Sequence, residues 1–175
     1  MSKKLSPEEW EKLCQELEEL RESLKTSRKK INNYTGIVEC SVFWASRQVY
    51  LEMLKNFLSR KIDGETLTSK FFKLRSDNII SQRKLCVRIE DNILPIPDLY
   101  YTSKAEDFTS AIDDLFVAMD EYDPDMDDDD DGWNCNNIVY SENGLRSVIQ
   151  EIFVPILQKS CDLNDSFFRP QVDLD

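Results

Sequence analysis

The chain has 175 residues, of which 41% are hydrophobic and 10% aromatic, a composition typical of a globular domain and not of a disordered chain. It contains no histidine, which excludes Ser-His-Asp and Cys-His catalysis and histidine-ligated zinc. The formal net charge is −12, and it is concentrated: residues 105–145 hold 14 carboxylates and no Lys or Arg. A surface of this kind repels nucleic acid and attracts a cationic partner.

The five cysteines lie far apart and form no CxxC motif. With an odd count and no apolar signal core at the start of the chain, we expect reduced thiols and an intracellular protein. No apolar run approaches the roughly 18 residues of a membrane span, so no membrane association is expected. The predicted location is the cytoplasm, with the interior of a plastid or another organelle as the alternative. No cofactor or metal is predicted.

The first predicted helix begins at Ser6, where Pro7 and Glu9 complete an N-terminal capping box. Apolar residues then recur at alternating intervals of three and four, as in a coiled-coil seam, and Asn32 to Gly36 are expected to interrupt the helix. Two interpretations remain open: the stripe packs on the core of its own domain, or it drives self-association or binding of a partner helix. The seam begins with Trp10, Leu13, Leu17, Leu20 and Leu24.

A second helix is predicted from Ser46, and Asp63-Gly64 is expected to end it with turn chemistry. A third helix then starts at Glu65. Residues 92–98 must form a loop, because Pro95 and Pro97 lie two apart.

A fourth helix is predicted with Asp107 or Thr109 as its cap, and Pro124 should stop it. The last helix opens at Ser141, and Pro155 is expected to kink it or end it early. The predicted fold is therefore all-α, an antiparallel four-helix bundle preceded by a long amphipathic N-terminal helix. The corresponding segments are residues 1–36 for the leading helix, 37–161 for the bundle and 162–175 for a loosely ordered tail.

The acidic run allows three interpretations. Asp127, Asp129 and Asp131 with Gly132 fit the first half of an EF-hand calcium loop, but Ile138 stands where the loop needs a bidentate glutamate. A mobile, solvated loop suits five consecutive aspartates, Asp127 to Asp131, because like charges repel. Neither interpretation explains why the carboxylates continue back onto the helix.

A recognition surface would explain that continuation. On the polar side of the fourth helix lie Asp113, Asp114, Asp120 and Glu121, and the turn that follows brackets Pro124 with Asp123 and Asp125. A packed helix and a proline would hold these carboxylates in fixed geometry. Trp133 either clasps the acidic loop onto the body or serves as an exposed interface anchor.

Three segments resemble the colicin D immunity family of small bacterial proteins, over about residues 48–159. YLEMLKNFLSRKIDGETLTSKFF is similar to that family's first helix, turn and second helix. FTSAIDDLFVAMDEYDPD is similar to its central helix and acidic turn, and YSENGLRSVIQEIFVPIL to its closing helix. The combination of the DEYDPD turn with the ENGL helix start is the most specific part of the likeness.

The resemblance implies a non-enzymatic immunity protein whose acidic face blocks the basic cleft of a tRNA-cleaving toxin domain. By motif, Asp120, Asp123 and Asp125 stand where that family's toxin-contacting acids lie, with Tyr122 between them. The predicted partner surface comprises Asp113, Asp114, Asp120, Glu121, Tyr122, Asp123, Asp125 and Trp133.

A different class of function remains open. In this alternative, the chain is a helical adaptor or structural subunit that uses the N-terminal seam and the acidic surface for protein binding. An enzyme is not expected, since the carboxylates concentrate in one segment and no acid-base constellation accompanies them.

Overall fold

The computed structural model describes residues 15, 16, 18, 19 and 22, then 34–90, 99–126, 133–134, 137–164 and 167–168. The chain divides into two compact units, Met1–Gly36 and Ile37–Asp175. In the first unit the described residues are helical, and Gln15 Nε2 donates to Glu19 Oε1 at 3.4 Å, one turn away. The seam from Trp10 to Leu24 has none of its apolar residues among those described.

The expected interruption at residues 32–36 is wrong over its last three positions, because residues 34–36 are helical. A glycine inside a helix costs only about 1 kcal/mol relative to alanine, which is too little to break a helix on its own. A methyl group placed on Gly36 would meet nothing within 4 Å.

The second unit begins with α1 (residues 37–45) and α2 (Arg47–Leu58), separated by a single turn residue, Ser46. Its N–H donates back to Phe43 O at 3.1 Å, and its carbonyl accepts from Val49 N at 3.0 Å. The hydrogen-bond ladder therefore continues across Ser46. After α2 the chain turns through Arg60, which adopts the left-handed conformation with φ of 60°.

Helix α3 (Gly64–Glu90) spans 27 residues, and therefore about 40 Å. Asp63 caps it: Asp63 Oδ1 accepts from Thr66 N at 2.8 Å. Gly64 is thus the first helical residue and not the second half of a turn. The pattern did not assign residues 76–90, and they prove to be helical. The predicted loop at 92–98 lies outside the described residues.

Helix α4 (Ser103–Asp120) starts earlier than predicted. Thr102 is its cap, with an extended backbone and a side-chain oxygen that accepts from Ala105 N at 3.2 Å. The prediction of Asp107 or Thr109 was wrong because both lie inside the first turns of the helix. Thr109 donates its hydroxyl to Ala105 O at 2.8 Å. The helix ends before Pro124, as predicted.

Two short strands, β1 (Trp133–Asn134) and β2 (Asn137–Ile138), pair antiparallel with Trp133 opposite Ile138. Ser141 then caps α5 (Glu142–Val148) by accepting from Gly144 N at 3.1 Å, as predicted. The helix continues through a π turn (Ile149–Phe153) into α6 (Val154–Cys161).

Of the two effects expected of Pro155, an early end of the last helix does not occur, because Pro155 lies in the first turn of α6, which continues to Cys161. The helix is irregular just before the proline, in the π turn. The π turn directly before it widens the helix where the proline ring would otherwise meet the preceding carbonyls.

The described residues are mainly helical, which confirms the all-α class apart from the two short strands. Contacts join α2 to α3, α3 to α4, and α4 to α6. No helix among the described residues is long and apolar enough to cross a membrane. The core is built from residues such as Phe43, Tyr50, Phe57, Phe71, Phe108, Leu115, Leu145 and Leu157.

Two residues of the C-terminal tail from Asp162 are described beyond Asn164. Phe168 is only 3% exposed and belongs to the core, and Phe167 packs against it with ring centroids 4.9 Å apart. Lys55 Nζ lies 4.8 Å from the centre of the Phe167 ring. The chain therefore returns to the core after α6. The other residues from 165 onward lie outside the described part.

Candidate functional site

The candidate site is the acidic turn, residues 120–125, which begins with the last residue of α4. Glu121 caps the helix, with its N–H donating to Val117 O at 3.3 Å, and Tyr122 N donates to Met119 O at 3.3 Å. Asp123 Oδ1 then accepts from Asp125 N at 3.0 Å, and Met126 N donates to Asp123 O at 3.3 Å. An aspartate that bonds the backbone two residues on is typical of a tight turn, and Pro124 restricts the backbone between the two acids.

Backbone hydrogen bonds anchor the base of this turn. Asp123 N donates to Tyr140 O at 3.0 Å, and Tyr140 N donates to Glu121 O at 2.9 Å. Tyr122 and Tyr140 thus form an isolated β-bridge. This bridge closes the segment from 123 to 139, so its two ends leave and re-enter the body at one place.

The Tyr122 ring adds a side-chain anchor by packing against Gly64, the first residue of α3. A methyl group built on Gly64 would lie 2.4 Å from Tyr122 Cζ, so only glycine allows this approach. Burial raises the pKa of the Tyr122 hydroxyl, and the neighbouring carboxylates of Glu142 and Glu65 raise that pKa further.

Glu142 and Arg146 link the same place to α5. Gly64 N donates to Glu142 Oε2 at 3.1 Å, and Arg146 pairs with Glu142 one turn away on the same helix. The Arg146 guanidinium also donates to Phe57 O and lies 4.0 Å from the centre of the Phe57 ring. The acidic turn therefore stands on a junction of α2, α3 and α5.

The carboxylates of Asp120, Asp123 and Asp125 are exposed, and none forms an ion pair with any residue in the described part of the chain. At the end of α4, two features make the position of the acidic side chains unfavourable for the stability of the free protein. Asp120 and Glu121 lie at the negative end of the α4 dipole, and the last turn of α4 contains no basic residue to offset them.

Asp113 and Asp114 are in different environments. Arg75 donates to Asp113 Oδ1 from Nη2 at 2.9 Å, and it also lies 4.2 Å from the Phe116 ring centre. Burial raises the pKa of nearby Glu39, and the Asp113 carboxylate raises it further, whereas Arg75 lowers it. Asp113 thus forms an ion pair with Arg75 of the same chain, while Asp114 is exposed.

The remaining predicted features are only partly described. The backbone of Trp133 is in β1, and the run from Asp127 to Asp131 lies outside the described residues. No cluster of Cys, Asp or Glu capable of holding a metal ion occurs among the residues that the structure describes.

Sequence reasoning missed Tyr140 and Gly64, which hold the acidic turn in place. No local signal could reveal them, because both contacts join segments distant along the chain. It also missed the exposure of Ile152 and Ile156. Here a signal existed: the eight apolar residues from Leu145 to Leu157, not counting Pro155, are more than one buried face of a helix accommodates.

Three comparisons were made with known proteins. No family model, no curated protein and no solved structure matches this chain.

Proposed function

We propose that this chain is a non-enzymatic immunity protein that binds and blocks a basic, RNA-cleaving toxin domain through the acidic turn. The observation that carries the proposal is the combination of fixed backbone and unpaired charge at Asp120, Asp123 and Asp125. Each is exposed without a described cation partner, on a turn anchored by the Tyr122–Tyr140 bridge. The proposed architecture is the four-helix bundle of the colicin D immunity family, made of α2, α3, α4 and α5–α6. The proposed location is the cytoplasm.

Electrostatics supports a cationic partner. Asp120 and Glu121 oppose the α4 dipole, so they cost stability in the free protein. An arginine or lysine of a partner would remove that cost and form charge-assisted hydrogen bonds with the carboxylates. A cleft that binds RNA phosphates presents such cations, and carboxylates held in place can occupy it as phosphates do.

Preorganisation supports tight binding. Asp123 Oδ1 accepts from Asp125 N, and Asp123 N donates to Tyr140 O, each at 3.0 Å. A turn that is already ordered loses little conformational entropy when it binds, which leaves more of the electrostatic attraction as affinity.

The test is a calorimetric titration of the full chain with the tRNA-cleaving domain of a colicin D-type toxin. We expect one-to-one binding whose affinity falls as salt rises. Replacing Asp120, Asp123 and Asp125 by Asn should weaken it at least about 100-fold, equivalent to about 2.7 kcal/mol. The variant should also no longer protect tRNA from cleavage.

The matched control removes three exposed carboxylates elsewhere, by Glu52→Gln, Asp77→Asn and Glu106→Gln. This control reduces the net negative charge by the same amount as the triple Asn variant. It should change the affinity less than about fivefold, because these three carboxylates contribute only long-range attraction, which depends weakly on their position. Equal losses in the two triple variants would mean that overall charge, and not the acidic turn, drives binding. An unmodified chain that fails to bind or to protect tRNA would contradict the proposal itself.

A further inference from the structure

A second surface feature adjoins α4: a groove of about 450 Å³ between α4 and α6. We call it the α4/α6 groove. The Lys104–Asp162 ion pair, 2.6 Å from Nζ to Oδ1, joins the start of α4 to the end of α6, so the two helices run antiparallel. The groove is lined by Asp107, Ser110, Ala111, Asp114, Pro155, Ile156 and Lys159.

The α4/α6 groove has an apolar strip that no described residue covers. Ile156, which lines the groove, is 40% exposed, and Ile152, in the π turn four residues before it, is 53% exposed. Val117 is 55% exposed and lies about 9 Å along α4 from Ala111. Val117 and Ile152 are not among the lining residues, but because the helices are antiparallel both lie beyond the same end of the groove, the end at which α4 leads into the acidic turn.

Local backbone geometry contributes to the exposure. Ile152 belongs to the π turn, and such turns are frequent at functional sites. Pro155 follows it and has no N–H to offer, so it presents only an apolar ring to the groove. Ile152 and Pro155 are therefore both exposed apolar residues, and Pro155 lines the groove.

The rim of the groove is acidic. Asp107 and Asp114 are exposed and form no ion pair within the described ranges, and Lys159 is the one cation among the lining residues. Asp114 lies six residues before Asp120, which begins the acidic turn. The carboxylates thus continue from the turn along the side of the apolar strip.

We propose that the α4/α6 groove is a second contact site for the same basic protein partner, which inserts an aliphatic or aromatic side chain flanked by Lys or Arg. The apolar side chain would cover Ile152 and Ile156, and the cations would meet Asp107 and Asp114. This inference rests on the proposed function and extends it: the acidic turn supplies attraction, while the groove supplies the apolar contact that selects one basic partner among many.

The test uses two synthetic peptides of equal length and charge, one with Lys and Leu residues and the other with Lys and Ser. Fluorescence anisotropy measures their affinity for the full chain. We expect the Leu peptide to bind at least ten times more tightly. That ratio should fall to about one in the double variant Ile152→Ser/Ile156→Ser. It should persist in the control Val49→Ser/Val87→Ser, which removes residues 52% and 53% exposed outside the groove.

The outcomes separate the two proposals. The triple Asn variant of the acidic turn should weaken both peptides equally and leave their ratio unchanged. Equal affinities of the two peptides for the unmodified chain would overturn the groove proposal while leaving the acidic turn as a binding site. A ratio of peptide affinities that stays unchanged in Ile152→Ser/Ile156→Ser would also overturn the groove proposal. So would a dimer of the unmodified chain in sedimentation that this variant dissociates, because a second copy of the chain would then occupy the groove.

A measurement on the unmodified chain guards against misfolded variants. With ¹³C-labelled isoleucine methyl groups, addition of the Leu peptide should shift the NMR signals of Ile152 and Ile156 and leave buried Ile112 and Ile149 unchanged. Shifts confined to other isoleucines would place the peptide elsewhere and contradict the proposal.

Discussion

At the scale of single residues, Gly64 shows how a small side chain can set the position of a functional turn. No glycine in the described residues has a positive φ, so the requirement for glycine here is steric and not conformational. The Tyr122 ring fills the space that any β-carbon on Gly64 would need. The position of the acidic turn over α3 therefore depends on this one missing methyl group.

Replacing Gly64 by Ala should destabilise the protein by about 1–3 kcal/mol, because the Tyr122 ring and the turn must move away. The matched control is Gly36→Ala, at a helical site with open space, where alanine should be neutral or stabilise by up to about 1 kcal/mol. Urea unfolding followed by circular dichroism measures both. Equal effects of the two substitutions would show that Tyr122 does not pack as described.

A second residue-scale feature is the buried polar chain of Ser46, Asn78 and Tyr50. Ser46 Oγ donates to Asn78 Oδ1 at 2.9 Å, and Asn78 Nδ2 donates to the Tyr50 hydroxyl at 3.1 Å. Tyr50 is fully buried and Asn78 nearly so. This chain ties the junction of α1 and α2 to the middle of α3, and burial raises the pKa of Tyr50 above its ordinary value near 10.

Tyr50→Phe should cost about 1–3 kcal/mol at pH 8, because the buried Asn78 amide loses its acceptor. The difference should shrink at alkaline pH. The unfolded phenol ionises near pH 10 and the folded one only at higher pH, so the unmodified protein loses stability as pH rises above 10. At pH 11 its extra loss should be about 1.4 kcal/mol. Urea unfolding from pH 8 to 11 measures this, and parallel pH profiles of the two proteins would contradict it.

At the scale of elements, helix boundaries depend on capping contacts that the sequence offers in several places. Residues 102–109 contain four possible caps, Thr102, Ser103, Asp107 and Thr109. When only large residues are counted, the apolar period begins at Phe108, which favours the two later caps. Ala105 is fully buried, however, so the packed face starts three residues earlier and Thr102 becomes the cap.

Thr102→Ala should lower the free energy of unfolding by about 1 kcal/mol, through loss of the hydrogen bond to Ala105 N. Asp107→Ala should change it by less than about 0.5 kcal/mol, because Asp107 is exposed within the helix. Thermal or urea unfolding of the two variants distinguishes the caps. A larger loss of unfolding free energy in Asp107→Ala than in Thr102→Ala would show that α4 starts at the later cap.

At the scale of the whole molecule, the dominant feature is the segregation of charge. All of the net charge of −12 can be assigned to residues 105–145, which begin in the first turn of α4, include the acidic turn and end within α5. Self-repulsion within such a segment destabilises the free protein, and the same charge accelerates encounter with a cationic partner. Salt should therefore act in opposite directions on the free chain and on its complex.

Raising KCl from 10 to 300 mM should increase the thermal midpoint of the free protein by about 2–4 °C, equivalent to about 1 kcal/mol, because salt screens the repulsion. The triple Asn variant of the acidic turn should show a smaller rise. Circular dichroism melts measure both. A midpoint that falls with salt would mean that attractive ion pairs such as Arg75–Asp113 outweigh the repulsion.

The sequence by itself determined the helical class, the cap at Ser141, the end of α4 before Pro124 and the concentration of acid at one place. These are local properties: apolar periodicity, a side chain that reaches its own backbone, and the missing N–H of proline. The local pattern also predicted an interruption at Gly36 and a kink or an early end at Pro155. The chain is helical at Gly36 and beyond Pro155, because a surrounding helix tolerates one glycine and a π turn accommodates one proline.

Only the tertiary structure decided which carboxylates are available to a partner. Asp113 and Asp114 are the same residue type at adjacent positions of α4. Asp113 nevertheless pairs with Arg75 of α3, whereas Asp114 lines the α4/α6 groove. The anchoring of the acidic turn by Tyr140 and Gly64, and the exposure of Ile152, likewise depend on residues far away in the chain. The physical reason is common to all three: pairing, burial and steric fit are set by what a fold places across from a residue.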